Sequence, residues 1–570
     1  MRTIYLVTMA AYSDFYKILL CLLIILPSIG FSQSSPADIP SIIVVQENTD
    51  IEQAETNTSL ELLYSDKYHN LSEVYKELEH FNNSAPNLID YSDIGRSYLN
   101  NTIPLVTITN EKRPDFLKGK TYIVAHHHAR EMCTIENSLR LIRDLINGYS
   151  LHGTYSTVKL LDNFIIYIIV TLNPDSLDYT LYTNPHFRKT LKPYDDDNDG
   201  LFDEDGPEDL NGDGHISSYA IFNNDASIGI RWWEGTDKDN DGKIGEDPPG
   251  GVDINRNYPF HWNDSRSESG STSDKSAFDY PGLAPFSENE TRAIDDFVKQ
   301  HHFTHALSLH SGIESIELGW SWTDQIQQPE APIYRELGQY IAENGIIPKR
   351  YLPLNKVWYN TAGEWGDYMY TEYNIIPLTF EIYAKEYSEK MYLIEQNETH
   401  RKYETKLEDF RMFNPPTTEL EGLHASIRPF ELFWLNLTPS IELDLVKYQI
   451  NSNNEYEVVL YLKSGSLFWN TTDSPKITID SFPKDIVEDF PDSINTLLPS
   501  ESTKVTLTLN SDLLSNSTLD INISSEWAAD LYLTLTLTPQ EFKRVAGFDG
   551  SIFGFLAVIT LIVIRKKNKK

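Results

Sequence analysis

The chain has 570 residues, 40% hydrophobic and 12% aromatic, too long for one ordinary domain and too rich in apolar side chains for global disorder. Its 84 acidic residues against 47 basic ones leave a formal charge of −37, which repels nucleic-acid phosphates and favours cations as partners. Two cysteines, Cys21 and Cys133, exclude a disulfide framework.

In chain order, the first signal is the apolar run Ile18–Ile29, preceded by Lys17 and followed by small residues at Gly30 and Ser32. It reads as a secretory signal peptide over 1–32. Residues 33–65 are polar and weakly patterned and read as a linker. From Tyr68 onward Leu71, Val74, Tyr75, Leu78 and Phe81 recur at three and four, predicting a helix. Leu105–Thr109 and Thr121–Ala125 read as strands, and Thr134–Gly148 as a helix with Leu139, Ile142 and Leu145 on one face. Asn163–Leu172 is continuously apolar, as in a strand buried on both faces. Glu288–His301 reads as a helix, and His305–Leu309 and Ile375–Ile382 as strands. This alternation over 66–412 predicts an α/β domain with a mixed central sheet flanked by helices.

After about Phe430 the texture changes to short alternating runs, at Ile441–Leu445, Tyr456–Leu462, Lys504–Leu509, Thr518–Ile523 and Leu531–Leu537. They predict an all-β sandwich over 430–540 with no His or Cys and no catalytic constellation. Residues 545–564 are apolar enough to span a bilayer, and 565–570 read RKKNKK. A single membrane anchor with a basic cytoplasmic tail leaves everything upstream outside the cell.

The chemistry-bearing residues lie in the α/β part. His128 and Glu131 stand three apart just after a strand, where both can face one cation. Imidazole and carboxylate suit Zn²⁺, which needs a third ligand and an open position to be catalytic. His310, at the end of another strand, is the candidate third ligand, because carboxyl ends of parallel strands converge on one crevice. Glu381 ends an apolar strand, a costly place for a carboxylate without a partner or a task. Asn255 and Arg256 offer an amide and a guanidinium together, a clamp for a carboxylate, and Arg188 is a second cation.

These residues fall in ordered blocks: HARE at 128–131, NPD at 173–175, FRK at 187–189, VDINRN at 252–257, PFSENET at 285–291, SLHS at 308–311, YNTAGEWGDY at 359–368 and TFE at 379–381. From about Tyr68 to Phe410 the chain resembles zinc metallocarboxypeptidases of the carboxypeptidase A/B/T family. The resemblance implies that His128, Glu131 and His310 are the zinc ligands and Glu381 the general base. It gives Arg188 the developing oxyanion, Asn255 and Arg256 the substrate's terminal carboxylate, Tyr359 a mobile closing role and Arg130 a subsite. It aligns Gly366 with the floor of the specificity pocket, where members preferring basic ends carry Asp. Gly366 therefore speaks against a dedicated basic-residue enzyme, although Asp367 follows it.

An acidic insertion at 194–250 departs from the short members of that family. Asp195, Asp197 and Asp199, then Asp237, Asp239 and Asp241, alternate with residues that permit a sharp turn, a pattern suited to Ca²⁺. The expected protein is a cell-surface, membrane-anchored zinc carboxypeptidase acting on peptide or protein C-termini, with calcium as a second metal and no nucleic-acid partner. Two rivals are a hydrolase of cell-wall peptides and a catalytically inactive calcium-binding adhesion protein.

Overall fold

The computed structural model describes residues 59–537, apart from internal stretches that include 113–117, 196–199, 243–248, 324–330, 355–358, 386–390, 465–475 and 525–530. The expected leader at 1–32, the anchor at 545–564 and the tail at 565–570 lie outside the described residues. So do Asp197, Asp199, Asp239 and Asp241 of the calcium candidates. Among the described residues no helix is long and apolar enough to cross a membrane.

An eight-stranded mixed sheet organises the α/β part. Its strands are β1 (Ile89–Arg96), β2 (Thr102–Ile108), β3 (Gly119–Ala125), β4 (Phe164–Ile169), β5 (His305–His310), β6 (Glu314–Glu317), β7 (Leu352–Leu354) and β8 (Ile376–Ile382). Their spatial order is β1-β2-β4-β3-β5-β8-β6-β7. The centre is parallel: β3 runs alongside β4 and β5, and β5 alongside β8. On the far side β6 returns antiparallel to β8.

Strand alternation divides the core in two. Ile123, Ile166, Ile168, Leu307 and Phe380 face helices α1 (Leu71–Ser84), α2 (Cys133–Ile146) and, after 412, α5 (Leu420–Leu435). Tyr122, Ile165, Ile169 and Ala306 face α3 (Asn289–Lys299) and α4 (Trp365–Tyr373). Every residue of β4 is buried, because both its faces are covered, as its unbroken apolar run requires. Side-chain caps fix the starts of α1 and α4. Asn70 caps α1 in a capping box with Glu73, and the Glu364 side chain caps α4.

Several elements escape sequence reading. Ser218–Asn223 and Ile228–Trp233 join Met391–Gln396 and His400–Thr405 in a separate four-stranded sheet. In the C-terminal part, the four-stranded sheet of Ile441–Ile450, Tyr456–Ser464, Ser502–Leu509 and Val487–Asp489 accompanies a three-stranded one of Lys476–Phe482, Ser517–Ser524 and Leu531–Leu537. Val458, Leu460, Leu507, Ile521 and Leu535 fill one core between them. Lys476–Phe482 pairs with Ser517–Ser524, and Val487–Asp489 with Ser502–Leu509.

Candidate active site and metal centre

Four side chains meet at the carboxyl ends of the parallel strands. β3 ends at Ala125, and His126 adopts φ 60°, a conformation rare for a residue with a Cβ. Its ring holds that turn through Thr171 Oγ1 and the Ala129 carbonyl, both at 2.8 Å. The chain then curls so that His128 and Glu131 point back over the sheet. His310 closes β5, and register places Glu381 of β8 directly beside it.

His128 Nδ1 lies 2.7 Å from Glu131 Oε1, and His310 Nδ1 lies 3.0 Å from Glu131 Oε2 and 3.2 Å from His128 Nδ1. All three residues are buried, and their ligand atoms lie within 4.8 Å of one another. Glu131 is further fixed by the Ser311 N–H, which donates to Oε2 at 3.1 Å. Two imidazole nitrogens and a carboxylate so crowded form a donor set that a divalent cation completes, and N and O donors in that number suit zinc. Among the described residues this is the one such group of three.

Asp253, in the VDINRN block, ties the site together and was given no role by sequence reasoning. One oxygen lies 3.2 Å from His128 Nε2, and the other accepts the Arg188 Nε–H at 2.8 Å. A carboxylate only accepts, so Nε2 carries the His128 proton and Nδ1 presents its lone pair to the metal position. Burial, then Arg188, lower the pKa of His128, which keeps the ring neutral as a ligand must be. Burial opposes charge on Asp253, but Arg188, His128 and Arg256 outweigh it and hold its carboxyl well below the usual range. The signal for Asp253 was its place two residues before Asn255 in a dense polar block.

The remaining candidates sit around this centre. The Ala129 N–H donates to the Arg188 carbonyl at 3.1 Å, bracing the ligand loop against the FRK loop. Asn255 Oδ1 accepts the Trp365 N–H at 3.1 Å, and Arg256 is buried with Nη1 on the Asn255 carbonyl at 2.7 Å. Arg130 lays its guanidinium 4.2 Å from the centre of the Phe413 ring, and burial, then Arg188, push its pKa down to about 10. Tyr359 is 45% exposed. Burial, then the charges of Glu131 and Glu317, push the Glu381 pKa well up against the pull of Arg188. Gly366 lies at the start of α4, buried. Asp195 and Asp237 each keep one buried carboxylate oxygen without a hydrogen-bond partner.

Residues 74–409 match the family model described as zinc carboxypeptidase, peptidase M14. The chain therefore belongs to the zinc carboxypeptidase family. It is 32% identical over 129 residues to a zinc carboxypeptidase of Saccharothrix mutabilis subsp. capreolus, covering 22% of this chain and 29% of that one. It is 23% identical over 290 residues to human carboxypeptidase B2, covering 50% and 54%. The chain thus spans about half or less of the length of these relatives. The crystal structure of carboxypeptidase A from Helicoverpa armigera aligns with a TM-score of 0.45 at 18% identity, covering 65% of this chain and 73% of that one.

Proposed function

We propose that this protein is a zinc metallocarboxypeptidase that removes C-terminal residues from peptides or proteins by the chemistry of the carboxypeptidase A/B/T group. The observation that carries the reading is the joint placement of a His128–Glu131–His310 donor set, Glu381 beside His310, and Arg188 linked to the donor set through Asp253. A Zn²⁺ held by His128, Glu131 and His310 would supply a Lewis acid and bring the pKa of a water down to about 7. Glu381 takes the proton of the attacking water and delivers it to the leaving amine. Arg188, fixed by Asp253, stabilises the oxyanion that develops on the scissile carbonyl. Arg256 and Asn255 hold the free α-carboxylate, which registers the last peptide bond over the site. Arg130 and Tyr359 bound the substrate on the open side.

Calcium binding by the 195–241 stretch belongs to the same reading, and so does a catalytic domain held outside the cell by 545–564. The sequence pattern supports both. The test is hydrolysis of N-blocked dipeptides with free and amidated C-termini by the zinc-loaded protein. Free peptides should be cleaved and amidated ones left, and Arg256→Ala should raise KM for the free ones by about tenfold or more. Equal cleavage of both forms would rule out a carboxypeptidase.

A further inference from the structure

The sheet carries more acid on its site face than the reaction uses. β6 pairs with β8 so that Ser315 lies opposite Glu381 and Glu317 opposite Thr379. Ile316 and Phe380, between them, belong to the core on the opposite face. Strand alternation therefore puts Glu317 and Thr379 on the same face as Glu381. Two residues along a strand is about 7 Å, which is the displacement of Glu317 from the level of Glu381. Two residues further back stands Pro377, where α4 begins. A Cβ placed on Gly366 would meet the Pro377 Cβ at 3.4 Å and Glu364 Oε2 at 3.0 Å. A row of carboxylates thus follows β8, from Glu381 to Glu317 to Glu364.

These carboxylates differ in how they are satisfied. Glu364 accepts the N–H groups of Gly366 at 2.6 Å and Asp367 at 3.1 Å as the cap of α4. Asp367 accepts the Ser321 and Trp322 N–H groups at 2.9 and 2.8 Å. Both are engaged in holding local structure. Glu317 has the Ser315 hydroxyl at 3.4 Å, a long contact, and it retains some solvent access. Burial, then Glu364, push its pKa up to about 7, while His310 and Arg256 pull it down. Arg256 is also the cation that opposes the rise at Asp367.

We propose that Glu317 is a specificity-determining residue whose carboxylate receives the cationic side chain of a C-terminal lysine or arginine. The proposal rests on the carboxypeptidase reading, in which Arg256 holds the α-carboxylate. Once Arg256 is engaged by that carboxylate, Glu317 and Glu364 lose part of their compensation. A substrate ammonium or guanidinium restores it. An aliphatic C-terminal side chain would leave the acid unpaired beside it, and an acidic one would repel it. The expectation drawn from Gly366 is thereby reversed: the acid comes from β6, a strand outside the 359–368 block, while Gly366 adds no side chain to the row.

The experiment compares kcat/KM of the zinc-loaded protein at pH 8 on N-blocked dipeptides ending in Lys, Arg, Leu, Phe and Glu, with amidated Lys as a control. Lys and Arg should exceed Leu and Phe by about tenfold or more, with Glu the poorest. Glu317→Gln, which keeps size and polarity, should lose about tenfold or more on Lys and Arg while Leu changes by no more than about twofold. Wild-type preference for Leu, Phe or Glu over Lys and Arg would overturn the proposal without any variant, leaving the carboxypeptidase reading intact. An equal loss on all substrates in Glu317→Gln would overturn it as well. No cleavage of any free peptide at full zinc occupancy would overturn the carboxypeptidase reading and this proposal with it.

Discussion

Replacing Asp253 by Asn tests whether the site depends on one buried carboxylate. Asp253 is fully buried and serves Arg188 at 2.8 Å, His128 at 3.2 Å and the Asn255 N–H at 3.0 Å. An amide of the same shape has one acceptor oxygen. If that oxygen stays with His128 and the Asn255 N–H, the –NH₂ faces the Arg188 guanidinium. If it turns to Arg188, His128 Nε2–H faces a donor and the ring loses its orientation. Either arrangement forfeits one charge-assisted bond, about 1.5–3 kcal/mol. Loss of a carboxylate behind a ligating histidine weakens metal binding by about 10–100-fold. That range corresponds to about 1.4–2.8 kcal/mol, consistent with one lost bond. Zinc affinity is measured by competition with a chromophoric chelator, and kcat/KM at saturating zinc on a free C-terminal dipeptide. Both should fall, because Arg188 is released along with His128, while circular dichroism stays that of the wild type. Wild-type zinc affinity together with kcat/KM within about twofold of wild type would refute the orienting role of Asp253.

Glu381→Gln should abolish turnover while elemental analysis still finds stoichiometric zinc, whereas His128→Ala or His310→Ala should lose the metal; retention of most of wild-type kcat in Glu381→Gln would exclude the general-base role. His69 is buried between Glu136, 2.8 Å from its Nδ1, and Glu77, 3.2 Å from its Nε2. Burial opposes its charge, but the two carboxylates raise its pKa to about 9. A raised folded-state pKa stabilises fully below the unfolded value of about 6.5 and is lost as pH climbs through about 9, a contribution of about 3 kcal/mol. The melting-temperature gap between wild type and His69→Gln should therefore be widest near pH 6 and narrow toward pH 9, and a gap constant with pH would contradict this. A calcium-selective chelator should lower the melting temperature and raise KM with zinc still bound, the folding stability lost being about 2.7 kcal/mol where calcium stood at a hundredfold excess over Kd. If neither quantity moves, the 195–241 stretch is solvated acidic surface.

The sequence alone determined the parts whose signal is local. The β4 run of apolar residues reads as a strand covered on both faces, and β4 is buried throughout. His128 and Glu131 after β3, with His310 and Glu381 closing later strands, were legible as candidates through the ordered sequence blocks that hold them, and the parallel strands bring their carboxyl ends together. Pairing between distant segments was invisible in the sequence. Lys476–Phe482 becomes a strand through Ser517–Ser524, and 218–223 through 400–405, because the distant partner supplies the ladder hydrogen bonds. The same limit hid Asp253, whose role needs Arg188, 65 residues earlier in the chain, and His128 across the fold. It also hid Glu317. Its sequence neighbours give it no partner of note, and the antiparallel return of β6 onto β8 alone sets it on the face of Glu381 and near the field of Arg256. Side-chain function follows from which face a strand presents and what lies across from it, and register is fixed by tertiary packing rather than by the residue's own neighbours.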